Sequence, residues 1–410
     1  MKILNFGSCN IDYVYSLDHI VRVGETETTQ KMEVFPGGKG LNQSIAVARA
    51  GASVYHAGCV GSDGTMLKEL LADNGVDVSY IKTVDEKNGH AIIQVSGKGE
   101  NSIFIYPGSN DAVSIDYVDS VLNDFSAGDI LLLQNEISNV DYIIKNAYQK
   151  GMKIIFNPSP FNEKIENIDL NMISYLILNE VEAKEISSLD TPEESLIFFK
   201  KNYPNLKIML TLGEKGCVYM DGNFEARQSA YRVNAVDTTA AGDTFTGYFV
   251  AGVSNGEKMD ETLRLASAAS AIAVSRMGAA PSIPERGEVI GLLPDMRTNE
   301  INAKSKILLD KIEGYVESNL KNANLDELSK LLGYSAVYSG NLVKKLTGKP
   351  FSKLLQSKRC AVAAELLINS DLPIEEIINL TGYENESFFR KIFKEKYGKS
   401  LLEFRKKEVK

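Results

Sequence analysis

Along the first 280 positions, apolar residues follow two alternating patterns. Short apolar runs at 3–6, 130–133, 153–156, 176–178, 207–212 and 217–220 each end on polar or glycine residues. Between them the apolar spacing is helical, as at Val118, Val121, Leu122 and Phe125. Such alternation predicts an α/β fold whose parallel sheet gathers polar strand ends along one ligand-binding edge. The segment 89–106 departs from this scheme. Ile93, Val95, Ile103 and Ile105 flank Gly97-Lys98-Gly99-Glu100-Asn101, a hairpin signature fitting a lid over a site or a dimer edge. Residues 259–277 read as an Ala-rich helix broken at 278–282.

Periodicity is lost over 285–302, where Pro294 lies, so the chain is divided into a domain at 1–297, a linker at 298–304 and a second domain at 305–410. From Ile307 to Phe404 no run alternates like a strand. A helix at 325–332, a turn at Gly333 and a second helix capped by Ser335 are repeated at 374–383 and 387–394. This predicts an all-α domain of duplicated helix-turn-helix units, the second helix of each entering a DNA major groove. Lys344, Lys345, Arg390, Lys391 and Lys394 fall where phosphates or base edges would be met.

Charge strengthens that division. Residues 1–301 hold 25 Lys and Arg against 40 Asp and Glu, a net −15; residues 302–410 hold 20 against 14, a net +6. An acidic body with a basic tail suits a chain in which only the tail meets nucleic acid. At 410 residues with 44% hydrophobic and 24% charged content, two globular domains are expected. No apolar run approaches a membrane span, and the first six residues read as a strand rather than a signal peptide. Cys9, Cys59, Cys217 and Cys360 have no paired spacing, which excludes a zinc or disulfide framework and fits a reducing cytoplasm.

Candidate chemistry concentrates in two stretches. Val236-Asp237-Thr238-Thr239-Ala240-Ala241-Gly242-Asp243-Thr244-Phe245 runs small residues into a helical pattern, with Asp243 at the helix start. Free N–H groups of a first helical turn attract anions, and a carboxylate beside a bound phosphate suits a base for phosphoryl transfer. An ordinary capped helix explains the same ten residues equally well. Phe35-Pro36-Gly37-Gly38-Lys39-Gly40-Leu41-Asn42-Gln43 offers close backbone approach, a point charge at Lys39 and Asn42 in the first turn of a helix. Its spacing is neither a Walker A loop nor a dinucleotide fingerprint. Asn10 and Asp12, beyond the first strand, could grip hydroxyls or simply form a polar turn. Only three His are present, none in a dense motif, so Asp with metal and backbone donors is the expected chemistry.

With these motifs in order, residues 1–290 resemble the ribokinase (PfkB-type) family of sugar kinases. The resemblance covers Gly-Ser-x-Asn-x-Asp, Pro-Gly-Gly-Lys-Gly-x-Asn-Gln, Glu136, Asn179-x-x-Glu182, residues 211–216 and Asp-Thr-Thr-Ala-Ala-Gly-Asp. It implies a three-layer sandwich with a small β lid that also forms a homodimer contact. By it, Asn10, Asp12, Gly38, Lys39, Asn42 and Glu136 hold sugar hydroxyls, and Asp243 is the base. Ala240, Ala241 and Gly242 form the anion hole, Ala240 standing where many members have Gly. Asn179, Thr211, Gly213 and Gly216 line the ATP site, and Glu182 places Mg²⁺ through water. Asp237, Thr239, Ala273, Arg276, Gly278 and Ser282 match the loop that binds K⁺. Residues 99–102 and the Lys39 loop are most similar to the ribose-phosphorylating branch, implying D-ribose to D-ribose 5-phosphate; a related pentose, deoxy sugar or nucleoside would use similar residues.

Residues 305–407 resemble the AraC-type DNA-binding domain through Tyr334-Ser335, residues 344–348, Phe351, Arg359, Gly382-Tyr383, Ser387-Phe388-Phe389 and Phe393-Lys394. Gly340, Ile378 and Leu401 depart from that pattern. The expectation is a kinase joined to a DNA-binding domain that couples sugar metabolism to transcription. The alternative is a sugar-sensing regulator whose kinase-like body binds without turnover, against which Asp243 and Lys39 both argue.

Overall fold

The computed structural model describes every residue except 98–99, 223, 371, 384 and 408–410, and only the backbone of 294–306, 406 and 407. The hairpin tip at Lys98-Gly99 therefore lies outside the described residues. The chain forms two compact units, Met1–Arg297 and Thr298–Lys410.

In the first unit thirteen strands are described: β1 (Ile3–Phe6), β2 (Asn10–Leu17), β3 (Lys31–Gly37), β4 (Val54–Gly61), β5 (Asp77–Val84), β6 (His90–Ser96), β7 (Asn101–Tyr106), β8 (Ile130–Gln134), β9 (Lys153–Asn157), β10 (Tyr175–Asn179), β11 (Lys207–Thr211), β12 (Cys217–Asp221) and β13 (Phe224–Gln228). Nine build one sheet in the order β13-β12-β11-β10-β9-β8-β1-β4-β5; β3-β2-β6-β7 build the second. The large sheet is parallel from β5 to β11. Its far edge is not: β12 and β13 run antiparallel. Only the short turn Gly213–Lys215 separates β11 from β12, and a parallel return needs a crossover of a dozen or more residues.

Alternate residues of each central strand go to opposite cores. Ile3, Ile130, Leu132, Ile155, Ile177 and Met209 join one apolar cluster, Leu4, Leu131, Ile154, Leu176 and Ile208 the other. Helices Lys39–Arg49, Ala241–Ser254 and Met259–Val274 cover the first face; Ile115–Leu122, Val140–Gln149, Glu180–Ser187 and Pro192–Asn202 cover the second. This is the three-layer sandwich that continuous apolar strands require, each fully buried Leu or Ile contributing roughly 1.5–3 kcal/mol. One contact positions the site. A Cβ on Gly247 would come within 2.3 Å of the Ala46 Cβ, so glycine lets helices Ala241–Ser254 and Lys39–Arg49 cross closely enough to set their N-terminal turns side by side.

The small sheet is the lid. Asn10 and Asp12 lie on β2, so they are strand residues of the lid rather than turn residues at the end of β1. β7 is exposed along its whole length, Ile103, Phe104, Ile105 and Tyr106 each about half accessible.

The backbone is helical from Arg286 to Ser318, across the stretch read from sequence as a linker. Val289 and Leu293, one turn apart, are buried in the first unit. The loss of amphipathic period there marks a change of packing partners rather than an end of the helix.

The second unit is helical throughout its described residues. Leu325–Leu332 and Ala336–Thr347 form one helix-turn-helix, Ile374–Leu380 and Glu386–Tyr397 the other, with Phe351–Asn369 between. The middle helix serves both cores: Phe351 and Leu355 pack with Ile312, Leu328 and Val343, whereas Cys360, Ala363 and Leu367 pack with Ile377, Phe389 and Phe393. Arg359 fixes the arrangement, donating to Leu320 O (3.0 Å) and Lys321 O (2.8 Å) while lying 5.1 Å from the Tyr383 ring centre. Ile378 and Leu401, which depart from the resembled pattern, are buried in the second core and packed within its apolar cluster. A Cβ on Gly340 would meet only the Leu325 side chain, at an ordinary 3.5 Å. Gly340→Ala is therefore expected to stabilise this unit by about 1 kcal/mol through helix propensity, read as a higher denaturation midpoint of its transition. A lower midpoint would mean that the first reading helix needs the glycine for packing.

Candidate active site

Two elements of the large sheet's carboxyl edge and one lid strand converge here. Helix Lys39–Arg49 begins at Gly38, whose φ of 95° lies in the left-handed region favoured by glycine. That turn carries Lys39, Asn42 and Gln43 inward. Opposite it, helix Ala241–Ser254 begins beside Ala240, which is buried, while Gly242 is exposed and a Cβ there would meet nothing within 4 Å. In its first turn the Ala241 N–H donates to Thr238 O at 3.2 Å and the Thr244 N–H to Ala240 O at 2.8 Å, which leaves those of Gly242 and Asp243 for a ligand. An anion hole at Ala240–Gly242, as the sequence leads one to expect, would draw on the N–H groups of Gly242 and Asp243.

Asp243 is only 6% exposed. One carboxylate oxygen accepts from Asn42 Nδ2 at 3.0 Å, the other from Gln43 Nε2 at 2.9 Å. The Lys39 ammonium is held above its ordinary pKa, first by Asp243, then against the cost of burial by Glu136 and Glu182. Three carboxylates thus act on this one ammonium through space.

Glu136, at the exit of β8, accepts from Ser8 Oγ and from the Lys39 N–H at 3.0 Å. Burial pushes its carboxyl pKa up. Asp12 reaches in from the lid, and burial followed by repulsion from Glu136 pushes its pKa up to about 7. Asn10 is buried and its Oδ1 accepts from Asn110 Nδ2 at 2.7 Å. Asn10, Asn110, Glu136, Ile105 and Pro160 line a cavity of about 190 Å³ between lid and sheet. The Asn42 Oδ1 is buried without a partner, an acceptor that suits a sugar hydroxyl.

The residues expected at the nucleotide lie further along the same edge. Asn179 and Thr211 are register partners at the ends of β10 and β11, and Gly213 and Gly216 bracket the turn into β12. Asn179 and Glu182 form a reciprocal capping box at helix Glu180–Ser187, the Glu182 N–H donating to Asn179 Oδ1 at 2.9 Å and Asn179 N–H to Glu182 Oε2 at 3.0 Å. The other Glu182 oxygen accepts from Ser159 Oγ. With both oxygens hydrogen-bonded, Glu182 could serve a metal only through water and not by direct coordination.

Of the residues expected around a monovalent cation, Asp237, Thr239 and Gly278 come together: the Asp237 carboxylate accepts from the Thr239 N–H (2.9 Å) and hydroxyl and from the Gly278 N–H (3.0 Å). Those bonds hold its pKa below the usual range against the effect of burial. The Ala273 carbonyl accepts from the Arg276 N–H at 3.0 Å, and Ser282 Oγ donates to Ala279 O at 2.8 Å. The Arg276 guanidinium pairs with Glu288 instead of pointing to Asp237, so only its backbone is available to a cation.

Sequence reasoning missed Ser8, Gln43, Asn110, Gln134, Asn157 and Ser159. Gln43 and Ser8 lay inside motifs already singled out; Gln134 and Asn157 close β8 and β9 at matched register.

This geometry has relatives. Residues 1–286 match the pfkB family carbohydrate kinase model, and 328–407 match a helix-turn-helix domain. The chain belongs to the pfkB family of carbohydrate kinases. It is 36% identical over 299 residues to the ribokinase of Haemophilus influenzae, covering 70% of this chain and 96% of that one. Against the Bacillus subtilis ribokinase it is 36% identical over 292 residues, covering 70% and 97%. The structure of Arabidopsis thaliana ribokinase complexed with ribose and ATP superimposes with a TM-score of 0.64 at 31% identity, covering 71% of this chain and 98% of that one. This pfkB chain is an ATP-dependent sugar kinase carrying an AraC-type helix-turn-helix domain.

In the DNA-binding unit, Lys344, Lys345, Arg390, Lys391 and Lys394 are all exposed on the second helices of the two units. Arg390 also pairs with Glu386 at 3.3 Å. Among the described residues no helix is long and apolar enough to cross a membrane.

Proposed function

We propose that this chain phosphorylates D-ribose to D-ribose 5-phosphate with ATP. The observation that carries the reading is Asp243, a buried carboxylate held by two amide donors at a helix N-terminus, its charge acting on the Lys39 ammonium. As the sugar hydroxyl oxygen attacks the γ-phosphorus, its proton passes to the Asp243 carboxylate and the bond to the ADP oxygen breaks. The N–H groups of Gly242 and Asp243 and the Lys39 ammonium stabilise charge on the transferring group. Asp12, Asn10, Asn42 and Glu136 hold the remaining sugar hydroxyls, with Gly38 allowing their close approach. Asn179, Thr211, Gly213 and Gly216 receive the nucleotide. Glu182 would hold Mg²⁺ through water, and the ion would supply charge neutralisation on the phosphates. K⁺ is proposed at the Asp237–Thr239–Gly278 junction, with backbone oxygens of Ala273 and Arg276 and the Ser282 turn.

Ribose is favoured by the 36%-identical relatives. Purified full-length protein with ribose, ATP, Mg²⁺ and K⁺ is expected to release ADP. The same assay with other pentoses, deoxyribose and nucleosides ranks substrates by kcat/KM. No ADP above background with any of them would leave a sugar-binding body without turnover.

We further propose a cytoplasmic homodimer joined through the exposed apolar β7, an edge otherwise left unpaired. The basic second helices are proposed to contact DNA phosphates and bases. Each of Lys344→Ala, Lys345→Ala, Lys391→Ala and Lys394→Ala that removes a phosphate contact is expected to reduce the slope of log K against log salt by about 0.9. Unchanged slopes for all four would place the DNA face elsewhere. Titrating operator DNA with and without sugar and ATP tests whether substrate occupancy reaches transcription.

A further inference from the structure

Behind Asp243 lies a buried chain of side-chain amides that the reaction described above does not use. Gln43 Nε2 donates to Asp243 at 2.9 Å and to Asn157 Oδ1 at 3.2 Å, while its Oε1 accepts from Gln134 Nε2 at 2.7 Å. Gln134 Nε2 also donates to Asn5 Oδ1 at 3.0 Å. Asn5, Gln43 and Gln134 are almost completely inaccessible.

An amide placed by a network normally has two possible orientations. Here both ends of the network remove the choice. Asn5 Nδ2 donates at 2.7 Å to Gly40 O, a carbonyl that can only accept, so Asn5 must present its oxygen to Gln134. Gln134 must then give both protons, one of them to Gln43 Oε1. On the other branch Asn157 Nδ2 donates at 3.1 Å to Ile177 O, so Asn157 also presents its oxygen to Gln43. Each branch independently forces the Gln43 NH₂ toward Asp243. Rotating it would set oxygen against the carboxylate and against the Asn157 oxygen inside a buried network.

We propose that Gln43 is a positioning residue for phosphoryl transfer. It fixes the plane of the Asp243 carboxylate and stabilises its ionised, proton-accepting form, with its own orientation enforced through Gln134 and Asn157 from the backbone carbonyls of Gly40 and Ile177. This rests on Asp243 being the base. Gln43 is fully buried with its amide committed to Asp243, Asn157 and Gln134, so its effect is expected on kcat and its pH dependence rather than on sugar KM.

The test is the pH profile of kcat, measured at saturating sugar and ATP. Gln43→Glu keeps size and shape but brings a second carboxyl to Asp243; it is expected to move the acid limb of kcat up by about one pH unit or more. Gln43→Leu removes the donor and is expected to shift the limb in the same direction. Gln134→Met, which cannot reach Asp243, is expected to give a smaller shift of the same sign. Sugar KM at the high-pH plateau stays within about threefold, since no hydrogen bond to the substrate is lost. A fall in kcat that is uniform across pH, with the acid limb unmoved in Gln43→Glu, would reduce Gln43 to packing and overturn the proposal. Should Gln43→Leu fail to fold, Gln43→Glu decides alone. Asp243→Asn serves as the reference: its retaining turnover would remove the base and this proposal with it, whereas its inactivity with unshifted Gln43 variants would remove this proposal only.

Discussion

Asp243→Asn lowers kcat by about 10²- to 10⁴-fold, the usual contribution of a positioned general base, while sugar binding persists. The substitution leaves the fold in place for a reason visible in the hydrogen bonds. Gln43 is fixed as a donor, so it continues to bond the remaining oxygen of the new side chain. Asn42 is not fixed: its Oδ1 has no partner, so its amide can turn and accept from the new NH₂. The melting temperature should therefore shift little, and calorimetric titration with sugar should show affinity within about tenfold of wild type, the residual loss reflecting the turned Asn42. Turnover near the wild-type rate would remove Asp243 as the base. Loss of sugar binding together with turnover would instead mean that the carboxylate's main task is to shape the cavity.

The sequence displayed those parts of the molecule whose physics is local. Central strands are buried on both faces, so residues 130–133 and 176–178 are continuous apolar runs readable without any partner. Asp243 and Lys39 stood in dense runs of small residues at helix starts, and the order of those motifs, together with Glu136 at a strand end, decided between a ligand site and an ordinary capped helix. What stayed hidden depends on distant residues. The antiparallel edge at β12 and β13 follows from a turn too short to cross over, not from composition. Asn10 and Asp12 looked like a polar turn because the lid strand is half exposed and lacks a clean alternation. Gln43 and Asp243 are 200 positions apart, and a buried amide network has no period, so neither Gln134 nor Asn157 announced itself. The helix across 286–318 was obscured for a related reason: Val289 and Leu293 pack in the first unit and Ile312 and Val316 in the second, so its two ends answer to different cores.

Asp12→Asn gives the second large effect, and it separates binding from stability. In the free protein the Asp12 pKa is pushed up to about 7 from an ordinary 3.8, chiefly by burial and then by Glu136, itself raised. A carboxyl whose pKa is raised by folding holds its proton longer in the folded state. Between about pH 4 and 7 the native protein therefore binds more protons than the unfolded chain, and stability falls as pH rises through that window. Asp12→Asn removes the penalty. Its melting temperature should exceed that of wild type by about 3 °C at pH 8, a benefit of about 1 kcal/mol or more in a unit of this size, and the difference should vanish toward pH 4. Function moves the other way. The ionised carboxylate accepts from two sugar hydroxyls through charge-assisted hydrogen bonds that the protonated acid cannot match, so wild-type kcat/KM should rise through pH 7 as the Asp12–Glu136 pair loses its proton. The variant loses charge-assisted hydrogen bonds worth about 1.5–3 kcal/mol, raising sugar KM by about 10- to 100-fold, and its kcat/KM should lack the limb near pH 7. Melting curves and sugar kinetics at pH 5, 6.5 and 8 measure both effects on the same preparations. A variant that is destabilised at pH 8, or that keeps the limb near pH 7, would show that the buried charge of the free site resides on Glu136 and not on Asp12.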